Sequence, residues 1–364
     1  MTPVGVGIIG PGAWASNSHI PVIAASPSFE LRAVSTSRRS SAEAAAAKHG
    51  VPGYDNHQEL INHPGVDLVV VTTRVAQHFE LISAALRAGK MVYSEWPLAN
   101  GLAEADQLAE LARTTGVRTM VGLQGRYAPE VQHARDLIQG GYLGRVLGTT
   151  MVGSGMVWGG EVASHGQAYW FDKSQGATAL TSAALHALDP FHFVLGEFDS
   201  VAANLVVGRT EATVLEDGSR IPVTAPDQVA IIGTLTSGAA ASVFYRGGTS
   251  RGDNFRWKIN GTEGDLVLTA DWGNVQVAQL TLAGGRGTDS TVAPIEVPAS
   301  YTEGVPAGLT GMPTGSIAKL YAQLARDLAE GTRTVPDFAH ALTRHRFVDA
   351  VERSSATGTT QSLR

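Results

Sequence analysis

Apolar positions in this chain fall into short β-branched runs separated by stretches of helical spacing, and the first run begins almost at residue 1. Val4, Val6, Ile8 and Ile9 suit a strand buried on both faces. Similar runs recur at 30–37, 66–73 (VDLVVVTT), 91–95 and 118–123. Helical stretches lie between them, from near Ser18 to Ala25 and at 41–49, 57–62, 76–88 and 102–114, so the alternation predicts a doubly wound parallel sheet. From Arg126 the texture changes. A helix at 129–139 is followed by a run at 145–158 and by strands at 201–208, 228–236, 240–245, 256–260 and 265–270, joined by short turns. That order predicts a largely antiparallel sheet with one face free unless a partner covers it. Glycine, proline and threonine mark 284–287 and 300–314 as loops, and helices at 316–329 and 337–354 close the chain.

The join between the first strand and its helix, GIIGPGAWA, carries the first chemical signal. Gly10 permits a sharp turn, Gly12 lets the backbone approach a pyrophosphate, and Ala15 is small enough for helix and strand to pack. Pro11, Ala13 and Trp14 complete the turn, and the helix N-terminus faces the phosphates. Pro21 has to lie in the first turn of a helix, which places the start near Ser18, a candidate N-cap. The chain is thus expected to be α/β, with an N-terminal doubly wound Rossmann domain over 1–124. A C-terminal α+β domain with a large, mostly antiparallel open sheet is expected over 125–364. Ligands of such parallel sheets lie outside the carboxyl ends of the strands, so Thr72, Thr73, Arg74, Glu95, Trp96, Pro97 and Gln124 should join the glycine turn as cofactor rim. His78 belongs to the same rim or caps its helix.

Cofactor choice is read at the end of the second strand, where an acidic residue would bind the ribose 2′-hydroxyl of NAD. Glu30 opens that strand instead of closing it, and the exit reads Ser35, Thr36, Ser37, Arg38 and Arg39. Hydroxyls and guanidinium groups suit a 2′-phosphate, so NADP is expected, with NAD possible.

Composition narrows the class. A length of 364 residues with 43% hydrophobic and 16% charged residues fits two packed domains. With no cysteine there are no disulfides, thiolate sites or cysteine nucleophiles. A formal charge of −6 without a basic stripe argues against nucleic acid, and no apolar run reaches the length of a membrane span. The N-terminus enters a strand directly, without a basic n-region, so a cytoplasmic location is expected.

Taken in order, GIIGPGAWA, VDLVVVTTRVAQH, AALRAGKMVYSEWPLA, VGLQGRYAPEV, GATALTSAALHALDPFHFVLG and VPDFAHALTRHRFVDAVERSSATG resemble the Gfo/Idh/MocA oxidoreductases over nearly the whole length. The resemblance implies a nicotinamide-binding domain and a C-terminal open-sheet domain that binds substrate and builds oligomers. It also implies hydride transfer at a hydroxyl carbon of a sugar, polyol or similar compound. Two positions depart from the pattern of working members. Trp96 stands where they have a lysine, and Ser182 where they have an aspartate four residues before the retained His186. The E-W-P and GATALTSAALHALD forms are nearer to the galactose-pathway repressor subgroup, which binds cofactor and regulates transcription through proteins.

Alcohol oxidation or ketone reduction needs a proton carrier beside the hydride path. His186 falls on a helix expected over 178–195, where Asp189, one turn away, could orient it. A lone helix histidine reads first as a satisfied buried or interface residue, and it is the resemblance that makes His186 the first catalytic candidate, with Tyr169 the second. Arg126, His165, Ser182, Asp189 and Trp96 are the expected substrate-side residues. For Tyr169 and His165 the competing reading is loop packing, and Trp96 is read both as packing between the domains and as a ligand stack. His192 points to another helical face, and no metal site is expected. The expectation is an NADP(H)-dependent oxidoreductase of a small-molecule substrate, with a homodimer or homotetramer formed through the C-terminal sheet. The alternatives are a cofactor-binding regulator without hydride chemistry and an oxidoreductase acting on an imine.

Overall fold

A computed structural model describes residues 2–311 and 313–364. Six strands, β1 (Val4–Ile9), β2 (Phe29–Ser35), β3 (Gly53–Tyr54), β4 (Leu68–Val71), β5 (Met91–Glu95) and β6 (Thr119–Gly122), form one sheet in the order β3-β2-β1-β4-β5-β6. Every pairing in it is parallel. Helices α1 (Ala13–Asn17), α2 (His19–Ala25), α3 (Arg39–His49), α4 (His57–Ile61), α5 (His78–Arg87) and α6 (Leu102–Thr115) connect the strands. Val6, Ile8 and all four residues of β4 are at most 1% exposed, as a sheet covered on both faces requires.

The helix expected to begin near Ser18 starts earlier, at Ala13, and is interrupted at Ser18 (φ −127°, ψ −64°). In a continuous helix Pro21 would leave the Asn17 carbonyl without a donor and collide with it. The break restarts the chain so that Pro21 is the third residue of α2. Ser18 takes the N-cap position of α2 as expected, but its side chain makes no capping bond there; its hydroxyl donates to the Trp14 carbonyl at 2.6 Å.

The chain divides into two compact units, residues 1–123 with 304–345, and residues 124–303 with 346–364. The first segment thus ends one residue from the expected boundary, but 304–345, expected in the second domain, packs with the first. This returning segment carries α9, counted after the second unit's α7 (Pro129–Gln139) and α8 (Leu185–Leu195). It runs over Thr314–Glu330 and leads into α10 (Phe338–Thr357), within which the division falls. It is anchored by Asp327, which is fully buried. The Asp327 carboxylate accepts from the backbone N–H of Thr334 and Val335, the hydroxyls of Thr332 and Thr334, and Gln323. Burial works against its charge, but these bonds hold its pKa well below the usual carboxylate range. Val121 N–H also donates to Pro336 O at 2.9 Å, closing part of the outer edge of β6.

In the second unit, β7 (Val146–Gly155) and β8 (Glu161–Val162) are followed by β9 (Phe198–Val206), β10 (Glu211–Val214), β11 (Arg220–Pro222), β12 (Gln228–Leu235) and β13 (Ala240–Gly247). Then come β14 (Phe255–Gly261), β15 (Gly264–Ala270), β16 (Thr281–Arg286), β17 (Ala293–Pro294) and β18 (Gln361–Ser362). Nine of these form a sheet in the order β17-β16-β15-β14-β7-β13-β12-β9-β18, antiparallel except for β7 beside β13. The expected loop at 284–287 is largely the end of β16. Gly284 belongs to that strand because a Cβ there would lie 2.7 Å from Ile295 Cδ1 and 2.8 Å from Leu266 Cδ2; the glycine answers to packing rather than to a turn. One face of the sheet carries Met151, Val243, Tyr245 and Trp257, all buried, and Phe191 of α8 stacks on Trp257 at 5.7 Å. The other presents Val152, Phe244 and Ile232, exposed by 37%, 42% and 60%, with Phe244 directly opposite Val152.

A second, three-stranded sheet (β11-β10-β8) closes over its own small core of Val162, Phe171, Ala212, Val214 and Val223. Among the described residues no helix is long and apolar enough to cross a membrane.

Candidate cofactor and catalytic residues

In the first unit the glycine turn is held open from below. Gly10 takes φ +85°, its N–H donates to Ser35 O, and its carbonyl accepts from Thr72 Oγ1 at 2.7 Å. A Cβ on Gly10 would stand 2.8 Å from Thr73 Cγ2, whereas one on Gly12 would have nothing nearer than 3.9 Å. Gly12 therefore faces open space, with Gly12 and Ala13 exposed and Pro11 half-buried beside it. The first N–H groups of α1 have no acceptor within that helix. Ala15 is fully buried, and the indole N–H of Trp14 is buried with no hydrogen-bond partner among the described residues.

The exit of β2 separates the five residues expected to read the ribose. Ser35 is buried, and Thr36 Oγ1 is tied to Ser41 Oγ at 2.9 Å and to Arg38 O. Arg39 pairs with Glu43 one turn along α3. Burial thus removes the Ser35 hydroxyl from the phosphate donors; Ser37, Arg38 and Arg39 are exposed, Arg39 within its surface pair with Glu43.

Farther along the rim Arg74 is exposed and Thr72 and Thr73 are half-buried. His78 is buried, with Nδ1 2.8 Å from Pro97 O and Nε2 3.1 Å from Thr73 O. Burial lowers its pKa despite these carbonyls, and a neutral ring has one N–H to donate. His78 therefore donates to one of the two carbonyls at a time; it lies between two rim loops and does not cap α5. The peptide between Trp96 and Pro97 is cis. Trp96 is 5% exposed, its ring 4.7 Å from that of His345 in the same unit. His345 is itself buried, and burial, aided by the nearby His78, brings its pKa down to about 4. Glu95, at the end of β5, is bound by His19, which in turn meets the hydroxyl of Tyr321. Sequence reading passed over His19, Tyr321 and His345: each is a lone polar residue on a helix, and 302 positions separate His19 from Tyr321.

The second unit holds the remaining candidates. Gln124 is completely buried, and neither atom of its amide has a hydrogen-bond partner among the described residues. Arg126 clasps Asp189 through two bonds, Nε to Oδ2 at 2.8 Å and Nη2 to Oδ1 at 2.5 Å. Asp189, expected to orient His186, therefore gives both its oxygens to a guanidinium. Burial would lower the Arg126 pKa, but the Asp189 charge more than offsets it and raises the value. The expected helix forms as a π-helical turn, Leu180–Ala184, continuing into α8. Pro190 lies inside α8 and has no N–H for the carbonyl of His186. Ser182 lies in the π turn, half-buried, one turn before His186, which is 5% exposed. A π turn of this kind is frequent at functional sites. His165 and Tyr169 lie on a 3₁₀ segment, His165–Phe171, beside the small sheet. His165 is half exposed and pairs with Asp217 at 3.0 Å, which raises its pKa; Tyr169 packs 5.2 Å from Trp170.

Within the first unit, the open Gly12 turn, the acid-free exit of β2 and the unpartnered indole N–H of Trp14 fit a nicotinamide dinucleotide. Residues 4–123 match the family described as oxidoreductase family, NAD-binding Rossmann fold, and residues 129–270 match the Gal80p C-terminal domain. The chain is 32% identical to dehydrogenase aclE of Aspergillus oryzae, over 92% of this chain and 90% of that protein. It is 25% identical to the galactose/lactose metabolism regulatory protein GAL80 of Saccharomyces cerevisiae, over 99% and 94%. A super-repressor mutant of Gal80p from that yeast superposes with a TM-score of 0.89 over 99% of this chain and 98% of that one, at 24% identity. Levoglucosan dehydrogenase of Pseudarthrobacter phenanthrenivorans is 28% identical over 98% and 97%. A levoglucosan dehydrogenase in complex with NADH and L-sorbose superposes with a TM-score of 0.85 over the full length of both chains, at 25% identity.

Proposed function

Because the chain belongs to the oxidoreductase family with an NAD-binding Rossmann fold, we propose that it is an NADP(H)-dependent oxidoreductase acting at a hydroxyl carbon of a sugar, polyol or related small molecule. The observation that carries the cofactor choice is the exit of β2, where Ser37 and Arg38 are exposed and no carboxylate ends the strand. When bound, the nicotinamide supplies or accepts the hydride. The Gly10 to Gly12 turn and the start of α1 would hold the pyrophosphate, and Arg38 a 2′-phosphate. Thr72, Thr73, Arg74 and Pro97 would line the rim braced by His78, and Gln124 offers an amide donor and acceptor. His186 is the proton carrier in this reading, with Tyr169 as the substitute, and Arg126, His165, Ser182 and Trp96 shape the substrate side.

Arg38→Ala should weaken NADPH binding about tenfold or more and leave NADH nearly unaffected, since one charge-assisted phosphate contact is worth about 1.5–3 kcal/mol. Fluorescence titration of both nucleotides checks this, and equal wild-type affinities would sink the NADP assignment.

A regulatory reading has its own support: Trp96 and Ser182 occupy the positions where the resemblance leads one to expect lysine and aspartate, and similarity to GAL80 spans 99% of the chain. In that reading the cofactor is bound and no hydride moves. A panel of polyols, sugars and imines, assayed with saturating NADPH, separates the readings: turnover of an imine alone would favour the reductase alternative, and none at all the regulator.

The open face bearing Val152, Phe244 and Ile232 is proposed to join subunits, since a contiguous apolar face is a poor monomer surface. Light scattering at micromolar concentration should give at least a dimer, and Phe244→Arg with Ile232→Arg should return monomers. A monomeric wild type would contradict this.

A further inference from the structure

We infer that His19 and Tyr321 are positioning residues for Glu95. The three form one hydrogen-bonded chain that presents a carboxylate oxygen to a hydroxyl of the bound nicotinamide nucleotide. The inference rests on the cofactor reading above and adds to it the side chains that set the acceptor.

Glu95 closes β5 at the carboxyl edge of the parallel sheet, where ligands of such sheets lie. Its side chain keeps 12% of its surface open, whereas that of His19 keeps none. His19 Nε2 is 2.9 Å from Glu95 Oε1, and Nδ1 is 3.0 Å from the Tyr321 hydroxyl. A carboxylate only accepts, so Nε2 carries a hydrogen; in the tautomer whose single hydrogen sits there, Nδ1 accepts and Tyr321 is the donor. Burial, with help from the Glu95 charge, pushes the Tyr321 phenol well above its ordinary value, so its proton stays in place. In that tautomer the bonds run from Tyr321 to His19 and from His19 to Glu95.

The geometry leaves little freedom. Tyr93 meets the His19 ring edge-on at 4.9 Å, and Phe29 meets Tyr321 at 5.1 Å. Across the sheet, a Cβ on Gly122 would fall 2.7 Å from Glu95 Oε1, so the carboxylate lies close over the backbone of β6. Oε1 is committed to His19, and among the described residues no protein hydrogen bond uses Oε2. A brace serving the core alone would not need a charge, because burying a carboxylate carries a desolvation penalty that a glutamine avoids. A fixed acceptor at the sheet edge is what a ribose hydroxyl requires.

The test compares full-length wild type with E95Q, H19L, H19Q, Y321F and the double variant E95Q/H19L, reading NADPH and NADH dissociation constants by fluorescence and thermal midpoints in parallel. E95Q and H19L should each weaken binding by about tenfold, and Y321F by less. H19Q, whose amide N–H can replace Nε2–H, should keep most of the affinity at the same expression and midpoint. The double variant should bind no more weakly than the weaker single one, since both changes break one chain. Wild-type affinity in E95Q or in H19L, or losses that simply add, would overturn the positioning role while leaving the cofactor reading intact. A wild type that binds neither nucleotide would overturn both.

Discussion

His186→Ala is expected to cut turnover by roughly 10²- to 10⁴-fold, the range that a general acid or base contributes, while nicotinamide-nucleotide affinity stays nearly unchanged. The separation follows from where the residue sits. His186 belongs to the second unit, on the π-to-α helix that also carries Ser182, whereas the glycine turn and the rest of the phosphate cradle belong to the first. Single-turnover kinetics with prebound NADPH, paired with fluorescence titration, reads the two quantities independently. Tyr169→Phe serves as the control for the other proton candidate: if it matches the loss of His186→Ala, the assignment between them reverses. An unchanged rate in His186→Ala would remove the residue from the chemistry and strengthen the regulatory reading.

The second large effect is on stability. Asp189→Ala should cost about 3–5 kcal/mol, the penalty for leaving a buried partner charge uncompensated. The side chains of Arg126 and Asp189 are 12% and 1% exposed, and both bonds between them are short. Urea unfolding measures the loss. Adding Arg126→Met to Asp189→Ala should recover a good part of it, because the orphaned guanidinium is then gone, and the two changes should be clearly non-additive. A loss below about 1 kcal/mol for the single variant would mean that water already solvates the pair, as at exposed ion pairs.

The parallel sheet was legible because its strands are continuous β-branched runs such as LVVV at β4, buried on both faces and so written without alternation. The glycine turn was legible for a different reason, since Gly10 has to take a positive φ that other residues avoid. Elements set by distant contacts left little trace. Residues 304–345 join the first unit through Asp327, whose neighbour Arg118 is 209 positions away, and no local pattern announces such a partner. The small sheet escaped notice because its strands are two to four residues long, too short for alternation to show. Around the site, local spacing shows which residues share a helix but not which distant side chains meet them. Asp189 lies one turn from His186, as helical spacing requires, but nothing local announces that Arg126, 63 residues away, also binds its carboxylate. The second strand ends at Ser35, two residues short of the expected 37, and its sequence does not reveal that Val34 and Ser35 are both buried.

The placement of 304–345 also bears on how the protein is made. Translation delivers β1 to β6 first, but Tyr321, Asp327 and Pro336 only after residues 124–303 have emerged. The nucleotide-binding unit is therefore the first begun and among the last completed. Until the returning segment docks, His19 has no Tyr321 hydroxyl and Val121 no Pro336 carbonyl. The nascent chain thus passes through a stage in which part of the β6 edge is bare, and truncation anywhere before residue 336 makes that stage permanent.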